Sequence, residues 1–374
     1  MSSDLSIFAA RVRDYMAIAA GESAPSDVDP ADWARHQDSE FNGMALVLAA
    51  IQYRHNPVFQ KLCDARGIRP QALVHWSEIP ALPTRAFKDF DVTCLPAGER
   101  SRVFHSSGTT GHTPSRHLHS EESLALYEAS LWTWFQNQIP GRCKLLALTP
   151  PPDAIPNSSL GHMFEVVRRQ LGSGPDCFAG RLDSAGGWRL NLDSAIRALD
   201  QSVDQDKPLA ILGTAFSFVE LLDELGQKRW PLPAGSWVME TGGYKGRSRA
   251  IPRAELHRWI SGSLGLTDGA ILSEYGMSEL SSQAYARTET AGAVFHFPPW
   301  ARARVVSPET GREAADGETG LLQIFDLANV FSAMALQTED LAVRRGAGFE
   351  LLGRATGAEA RGCSLMPAAA PGKS

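Results

Sequence analysis

Four short apolar runs set the terms for the fold: KLLALTP at 144–150, LAILGT at 209–214, SWVMETGG at 236–243 and GAILSEYG at 269–276. Each is strand-sized and stops at glycine, threonine or proline. Between them lie stretches of helical period, among them EESLALYEASLWTWFQNQ (121–138) and FVELLDELGQKRW (218–230). Strand and helix in alternation specify an α/β fold. In such folds the loops, and with them the ligands, gather at the strand ends.

The flanks read differently. Residues 1–84 form a helical N-terminal region, with apolar residues at helical spacing in DLSIFAARVRDYMAIAA and FNGMALVLAAIQYRHNPVFQKLCDARG. The proline-punctuated WSEIPALPTRAFKDF reads as a linker into a core at 85–340. GETGLLQIFDL and FELLGR read as a smaller β-structure. A short C-terminal segment, 341–374, ends in PAAAPGKS, whose composition predicts disorder. No internal repeat is visible.

Composition narrows the function. The chain has 374 residues, 43% of them hydrophobic and 21% charged, with a net charge of −6. An acidic total argues against a nucleic-acid partner, which needs a basic face to meet phosphates. No apolar run approaches the roughly 20 residues that span a bilayer, and charges interrupt the N-terminal segment where a secretory signal would be unbroken. Five widely spaced cysteines, none in a C-x-x-C pair, fit a reducing cytoplasm better than a disulfide or zinc framework.

Three segments carry candidate chemistry. The first is FHSSGTTGHTPSRH (104–117). Its glycines let backbone amides approach an anion, its hydroxyls add donors, and Arg116 adds a charged partner for phosphate. The Walker spacing is absent, and taken alone the segment reads equally as a surface turn. The second is SEYGMSEL (273–280): Tyr275 offers a face for a base, Ser278 a hydroxyl, and Glu279 an oxygen ligand suited to Mg²⁺. Taken alone, Glu279 reads also as a first-turn helix residue. The third joins Asp340 in LQTEDLAV to Arg354 in LLGRATG; singly, each is a surface charge.

Their order along the chain resembles the adenylate-forming superfamily of acyl-CoA synthetases, luciferase and peptide-synthetase adenylation domains. The resemblance covers about residues 85–365 and implies a fold of stacked β-sheets flanked by helices. It implies that Ser106, Ser107, Gly108, Thr109, Thr110 and Gly111 hold ATP phosphates, with Arg116 standing near the loop's usual lysine. Gly242 and Gly243 would pass close to adenine and Tyr275 would stack on it. Ser278 would contact phosphate, Glu279 would bind Mg²⁺, and Asp340 and Arg354 would grip the ribose. His162, in NSSLGHMF, would sit beside the carboxylate pocket; alone it reads as a packed histidine.

The ending departs from that superfamily. Twenty residues follow Arg354, and the only lysine after Lys245 is Lys373, so the usual lid and its lysine are expected to be missing. GFELLGRATGAEARGCSLMP, with HSSGTTGHTPSRH and ETGGYKGRSR, resembles instead the acyl-protein synthetase (LuxE) family. That family is short and carries an acylated cysteine near its C-terminus, a position Cys363 matches. The resemblance implies ATP- and Mg²⁺-dependent activation of a fatty acid to its acyl-adenylate. The acyl group would then pass to Cys363 and on to a partner protein such as a reductase. A thiol is a natural second nucleophile, and Arg361 would lower its pKa if folded close. A free-standing ligase delivering to CoA, a carrier protein or an amine is the alternative, and a catalytically silent subunit of a reductase complex is another. Phe216 and Phe218 are read as candidates for an acyl pocket, or as core.

Overall fold

The alternation is realised as a layered α/β fold in the computed structural model, which describes residues 3–21, 29–106, 113–183, 187–243, 251–267, 269–287 and 293–355. Helices α1 (Ser3–Ala19), α2 (Pro30–His55) and α3 (Pro57–Ala65) come first. Strand β1 (Leu82–Pro83) and the single turn α4 (Ala86–Asp89) lead to a hairpin, β2 (Arg102–His105) and β3 (Arg116–His119). Next come α5 (Glu121–Phe135), β4 (Lys144–Ala147), α6 (Ser159–Leu171), the hairpin β5 (Gly180–Leu182) and β6 (Trp188–Leu190), and α7 (Leu192–Asp204). They are followed by β7 (Leu209–Thr214), α8 (Ala215–Leu225), β8 (Trp237–Thr241), α9 (Arg253–Leu264), β9 (Ile271–Tyr275) and β10 (Ala284–Arg287). A second β-region holds β11 (Val294–Phe295), β12 (Ala301–Val306), β13 (Thr319–Asp326), β14 (Ala335–Arg345) and β15 (Gly348–Arg354).

The four apolar runs form the first sheet, ordered β10-β9-β8-β7-β4. Strands β4, β7, β8 and β9 are parallel and β10 is antiparallel to β9. Alternate strand residues go to opposite faces. Leu146, Ile211, Val238 and Ile271 pack with α7, α8 and α9, whereas Leu145, Leu212, Met239 and Leu272 pack with α5 and α6. Burial on both faces explains why these strands read as continuous apolar runs. Caps fix the helix starts. Ser158 Oγ accepts from the Gly161 amide at 3.1 Å at the head of α6, and Thr214 Oγ1 from the Ser217 amide at 3.4 Å at the head of α8. Such a cap stabilises a helix by about 1 kcal/mol.

The second sheet runs β11-β15-β14-β13-β12, with β1 added parallel to β14. The segment 76–90, expected as a linker, contributes β1 to an edge of this sheet and then forms α4. The expected division at residue 340 falls inside β14, which is continuous from Ala335 to Arg345. The N-terminal helices share one core with Trp300, Phe325 and Phe331.

A buried polar seam joins the layers. Asp326, fully buried, accepts from the Ser281 amide (2.9 Å), the Ser282 hydroxyl (2.7 Å) and the Ala328 amide (3.0 Å). Burial raises its carboxyl from the ordinary range and these donors pull it back. Asn329 Nδ2 donates to the Glu279 carbonyl at 2.8 Å. From the other side, Gln52 on α2 donates to the Asn329 carbonyl at 2.7 Å and accepts from the Met334 amide at 3.1 Å. Among the described residues no helix is long and apolar enough to cross a membrane.

Candidate active site

The carboxyl ends of β7, β8 and β9 open into a cavity of roughly 530 Å³. Strand ends supply Thr214, Thr241 and Glu274; the β2–β3 connection supplies His105, Ser106 and Thr113; the head of α6 supplies Ser158, Ser159 and Leu160. Asp340 and Arg354 face it from the second sheet. Because α6 and α8 both begin here, their amino-terminal dipole ends favour negative charge in the cavity.

Seven of the residues singled out in the sequence meet on this wall: Ser106, Gly242, Gly243, Ser278, Glu279, Asp340 and Arg354. The β2–β3 connection is closed at its base, where the Ser115 amide donates to Ser106 Oγ at 2.9 Å. Ser278 Oγ donates to the His105 carbonyl (3.1 Å), and His117 Nδ1 donates to the Ser278 carbonyl (2.8 Å). Burial drops His117 to about 4, so it is a neutral anchor here. Gly243 has φ 106°, backbone that side-chain-bearing residues rarely adopt, where the chain turns at the cavity edge.

Glu279 is 7% exposed. Burial raises its pKa, against the opposing pull of the Ser115 hydroxyl and the more distant Arg354 and Lys88. Among the described residues there is no cluster of three His, Cys, Asp or Glu side chains suited to a metal ion. Mg²⁺ bound with phosphates needs only one or two protein carboxylates, so Glu279 fits such an ion where an all-protein cage does not exist.

Three expected residues stand elsewhere. Tyr275 does not offer an open ring face. Its ring packs with Phe295, Phe297 and Phe349, and its hydroxyl donates to Asp340 Oδ2 at 2.7 Å. It therefore holds Asp340 rather than lining the cavity, because its face of β9 is covered by Phe295, Phe297 and Phe349. Arg116 pairs with Asp91 at 3.0 Å, away from the wall. His162 pairs with Glu128 at 2.9 Å, and its ring packs on Phe104 and Tyr127. The bond from His162, with help from Arg169, holds the Glu128 carboxyl below its ordinary value. Phe216 and Phe218 are core residues, 3% and 0% exposed, and neither lines the cavity. Ser107, Gly108, Thr109, Thr110, Gly111 and Cys363 lie outside the described residues.

Other wall residues carry no motif. Arg85 and Lys88 bring two cations to the same cavity from α4 and the turn before it. Their only sequence signal was lysine and arginine beside TRAF, within a segment taken for a linker. Arg354 stands 3.5 Å from Asp340 with its side chain 74% exposed. Together they give one end of the cavity three carboxylates, Glu279, Glu339 and Asp340, and three cations, Arg85, Lys88 and Arg354. That end can bind a polyphosphate and a metal ion at once. The opposite end, toward α5 and α6, holds Tyr127, Leu160, Met163, Glu274 and Gln283.

The family description "Acyl-protein synthetase, LuxE" matches residues 19–370. The chain is 22% identical over 360 residues to the long-chain-fatty-acid–luciferin-component ligase of Aliivibrio fischeri, covering 91% of each chain. To the ligase of the same name from Vibrio harveyi it is 21% identical over 355 residues, covering 90% of this chain and 89% of that one. Among solved structures, 2-hydroxyisobutyryl-CoA ligase in complex with 2-HIB-AMP and CoA aligns over 90% of this chain and 73% of its own, with TM-score 0.62 and 14% identity. An open conformation of that ligase aligns over 90% and 80%, with TM-score 0.62 and 15% identity. The shared architecture is that of the adenylate-forming enzymes.

Proposed function

The chain belongs to the acyl-protein synthetase LuxE family, and from that premise we propose that it activates a carboxylic acid with ATP and Mg²⁺ and then loads the acyl group on Cys363 for a partner protein. It is a ligase. Convergence carries the reading: seven residues from five separate segments, ordered in the sequence as in adenylate-forming enzymes, face one cavity at the ends of parallel strands.

The chemistry follows from the groups present. A carboxylate oxygen attacks the α-phosphorus of ATP, and pyrophosphate leaves with the bond electrons. Catalysis of that step is positioning and charge stabilisation. Mg²⁺ held by Glu279 would neutralise phosphate charge. Lys88 and Arg85 supply cations at the same end. Asp340, fixed by the Tyr275 hydroxyl, is set to accept ribose hydroxyls, and Arg354 lies beside it. In the second step the Cys363 thiolate attacks the acyl carbon and AMP leaves, giving a thioester that keeps the acyl group reactive but attached.

The remaining cysteines support this assignment by their surroundings. Burial pushes the thiols of Cys63 and Cys143 up to about 11 and that of Cys177 to about 12, and raises Cys94 further. Thiols held that high are poor nucleophiles at neutral pH. The two curated relatives act on long-chain fatty acids by name, and an acid of the same general class is the starting point for this chain.

The test uses the full chain with ATP, Mg²⁺ and labelled acid. Wild type should exchange pyrophosphate into ATP and retain acyl label that neutral hydroxylamine removes. Cys363→Ser should lose the label while keeping exchange. Label persisting in that variant removes the cysteine role; absence of exchange with every acid removes the adenylation reading itself.

A further inference from the structure

The end of the cavity farthest in character from the nucleotide groups is not a hydrocarbon tunnel. Among the described residues its wall carries only three aliphatic side chains, Leu160, Met163 and Met277. Thr214, Thr241, Tyr127, Glu274 and Gln283 occupy the rest of that side. Glu274 is 6% exposed and Gln283 5%, so both are charged or polar groups committed to the interior. They are neighbours: a Cβ placed on Gly276 would run into the Glu274 carboxyl and would lie 3.4 Å from Gln283 Cγ. Glycine at 276 is what leaves room for the carboxyl to fold over the chain.

Strand register fixes which way Glu274 faces. Glu240 and Ser273 pair across β8 and β9 and turn toward α9, where Glu240 accepts from Ser273 Oγ at 3.0 Å and meets His257 at 3.2 Å. Thr241 and Glu274 pair on the opposite face, toward α5 and α6. The Thr241 hydroxyl donates to the Glu274 carboxyl, and among the described residues no cation contributes to its titration. Across β9 and β10 its register partner is Tyr285, whose buried hydroxyl has no partner among the described residues. Polar side chains on a cavity wall lose their water when a ligand fills it, which is costly unless the ligand hydrogen-bonds to them in return.

We propose that the acid activated here bears a hydroxyl group on its chain, and that Glu274 and Gln283 hold that hydroxyl. This rests on the adenylate-forming reading above and names the class of acid. A plain alkyl chain would strip water from both side chains and give nothing back. A hydroxyl both donates and accepts, and a carboxyl–amide pair offers it both an acceptor and a donor. Burial, with Glu240 as the nearby like charge, holds the Glu274 carboxyl up at about 7. A carboxyl near neutrality suits a neutral hydroxyl; an ammonium would require it fully ionised. Sites built to hydrogen-bond a substrate hydroxyl reject the analogue that lacks it far more strongly than apolar pockets reject a missing methylene.

The experiment is pyrophosphate exchange by the full chain with octanoic acid against α-, β- and ω-hydroxyoctanoic acids, repeated at dodecanoic length. At least one hydroxy acid should exceed its plain counterpart roughly tenfold or more in kcat/KM. Glu274→Leu and, separately, Gln283→Leu should each shrink that preference roughly tenfold, with KM for ATP unchanged. If Glu274→Leu does not fold, the wild-type ratio and the Gln283→Leu ratio decide. Plain acids matching or beating every hydroxy acid overturn the inference while leaving adenylation standing. Preference for an amino acid of similar length overturns the hydroxyl assignment. No exchange with any acid removes the adenylation reading, and this inference with it.

Discussion

The two ends of the cavity are built by different rules. At the proposed nucleotide end, Ser278 and Glu279 lie in the loop after β9, Asp340 in mid-β14 and Arg354 at the end of β15, and all four line the cavity. At the acid end, Glu274 and Gln283 lie in or beside strands of the central sheet, at positions that would suit core residues. Phosphate chemistry is constant, so its groups recur with fixed spacing and can be read as motifs. A substrate chain varies, so its groups are single substitutions on a sheet face and leave no spacing to read. The difference predicts that the nucleotide end governs whether any acid reacts and the acid end governs which.

Glu279→Gln breaks that division most sharply. It keeps the shape and deletes the metal-directed charge, so exchange should fall roughly 100-fold with every acid, the scale of losing one preorganised electrostatic group in an active site. A loss confined to some acids, measured across the chain-length series, would put Glu279 at the wrong end. Asp340→Ala comes next. ATP affinity by calorimetry should weaken by about 1.5–3 kcal/mol. The same change strips the buried Tyr275 hydroxyl of its acceptor, so Tm should fall as well, by an amount equivalent to about 1–3 kcal/mol. Normal ATP affinity with only the Tm loss would make Asp340 structural.

Lys88→Ala should be milder. Its side chain is exposed on a single turn, and loss of one charged contact should lower kcat/KM for ATP roughly tenfold. Lys88→Arg should recover most of it. An unchanged rate would leave Arg85 and Arg354 as the cations that matter. The smallest effect is on pH dependence. Glu274 binds its proton more tightly in the folded protein, up to about 7, than a carboxyl with the ordinary value of 4.5 in the unfolded chain. Between those values the folded state carries the extra proton, so stability falls as pH rises through that window. Glu274→Gln should flatten this part of a Tm–pH curve, with Glu240, Tyr127 and Tyr285 as the titratable neighbours left in place. Parallel wild-type and variant curves would mean that Glu274 is ionised at neutral pH.

The central sheet was legible because its strands are buried on both faces and end in small residues. Seven of the residues singled out in the sequence line one cavity, and they were picked out because phosphate recognition repeats its spacing. Three expected residues stand off the cavity wall for one cause, tertiary partners that a linear sequence does not display. Tyr275 looks like a stacking platform until the second sheet covers it; Arg116 looks like a phosphate ligand until Asp91 takes it; His162 looks like a pocket residue until Glu128 does. Lys88 was missed for the opposite reason. Prolines around it read as punctuation, when β1 actually adds to the second sheet and sets α4 against the cavity. Asp326, Asn329 and Gln52 gave no signal either, since a buried polar seam is specified by pairing between distant segments.

That seam has a consequence for anyone recombining such enzymes. Gln52 on α2 is bonded to the segment around Asn329, and Asn329 to the backbone of Glu279, so a residue of the N-terminal helices stands two hydrogen bonds from the backbone of Glu279. The helical layer is therefore not an interchangeable module. A chimera that imports α1–α3 from a relative inherits a mismatch at residues 326–334 unless that loop travels with it. The natural unit of exchange is discontinuous, the first helices together with the loop between β13 and β14, and crossover points chosen by sequence order alone would cut through it.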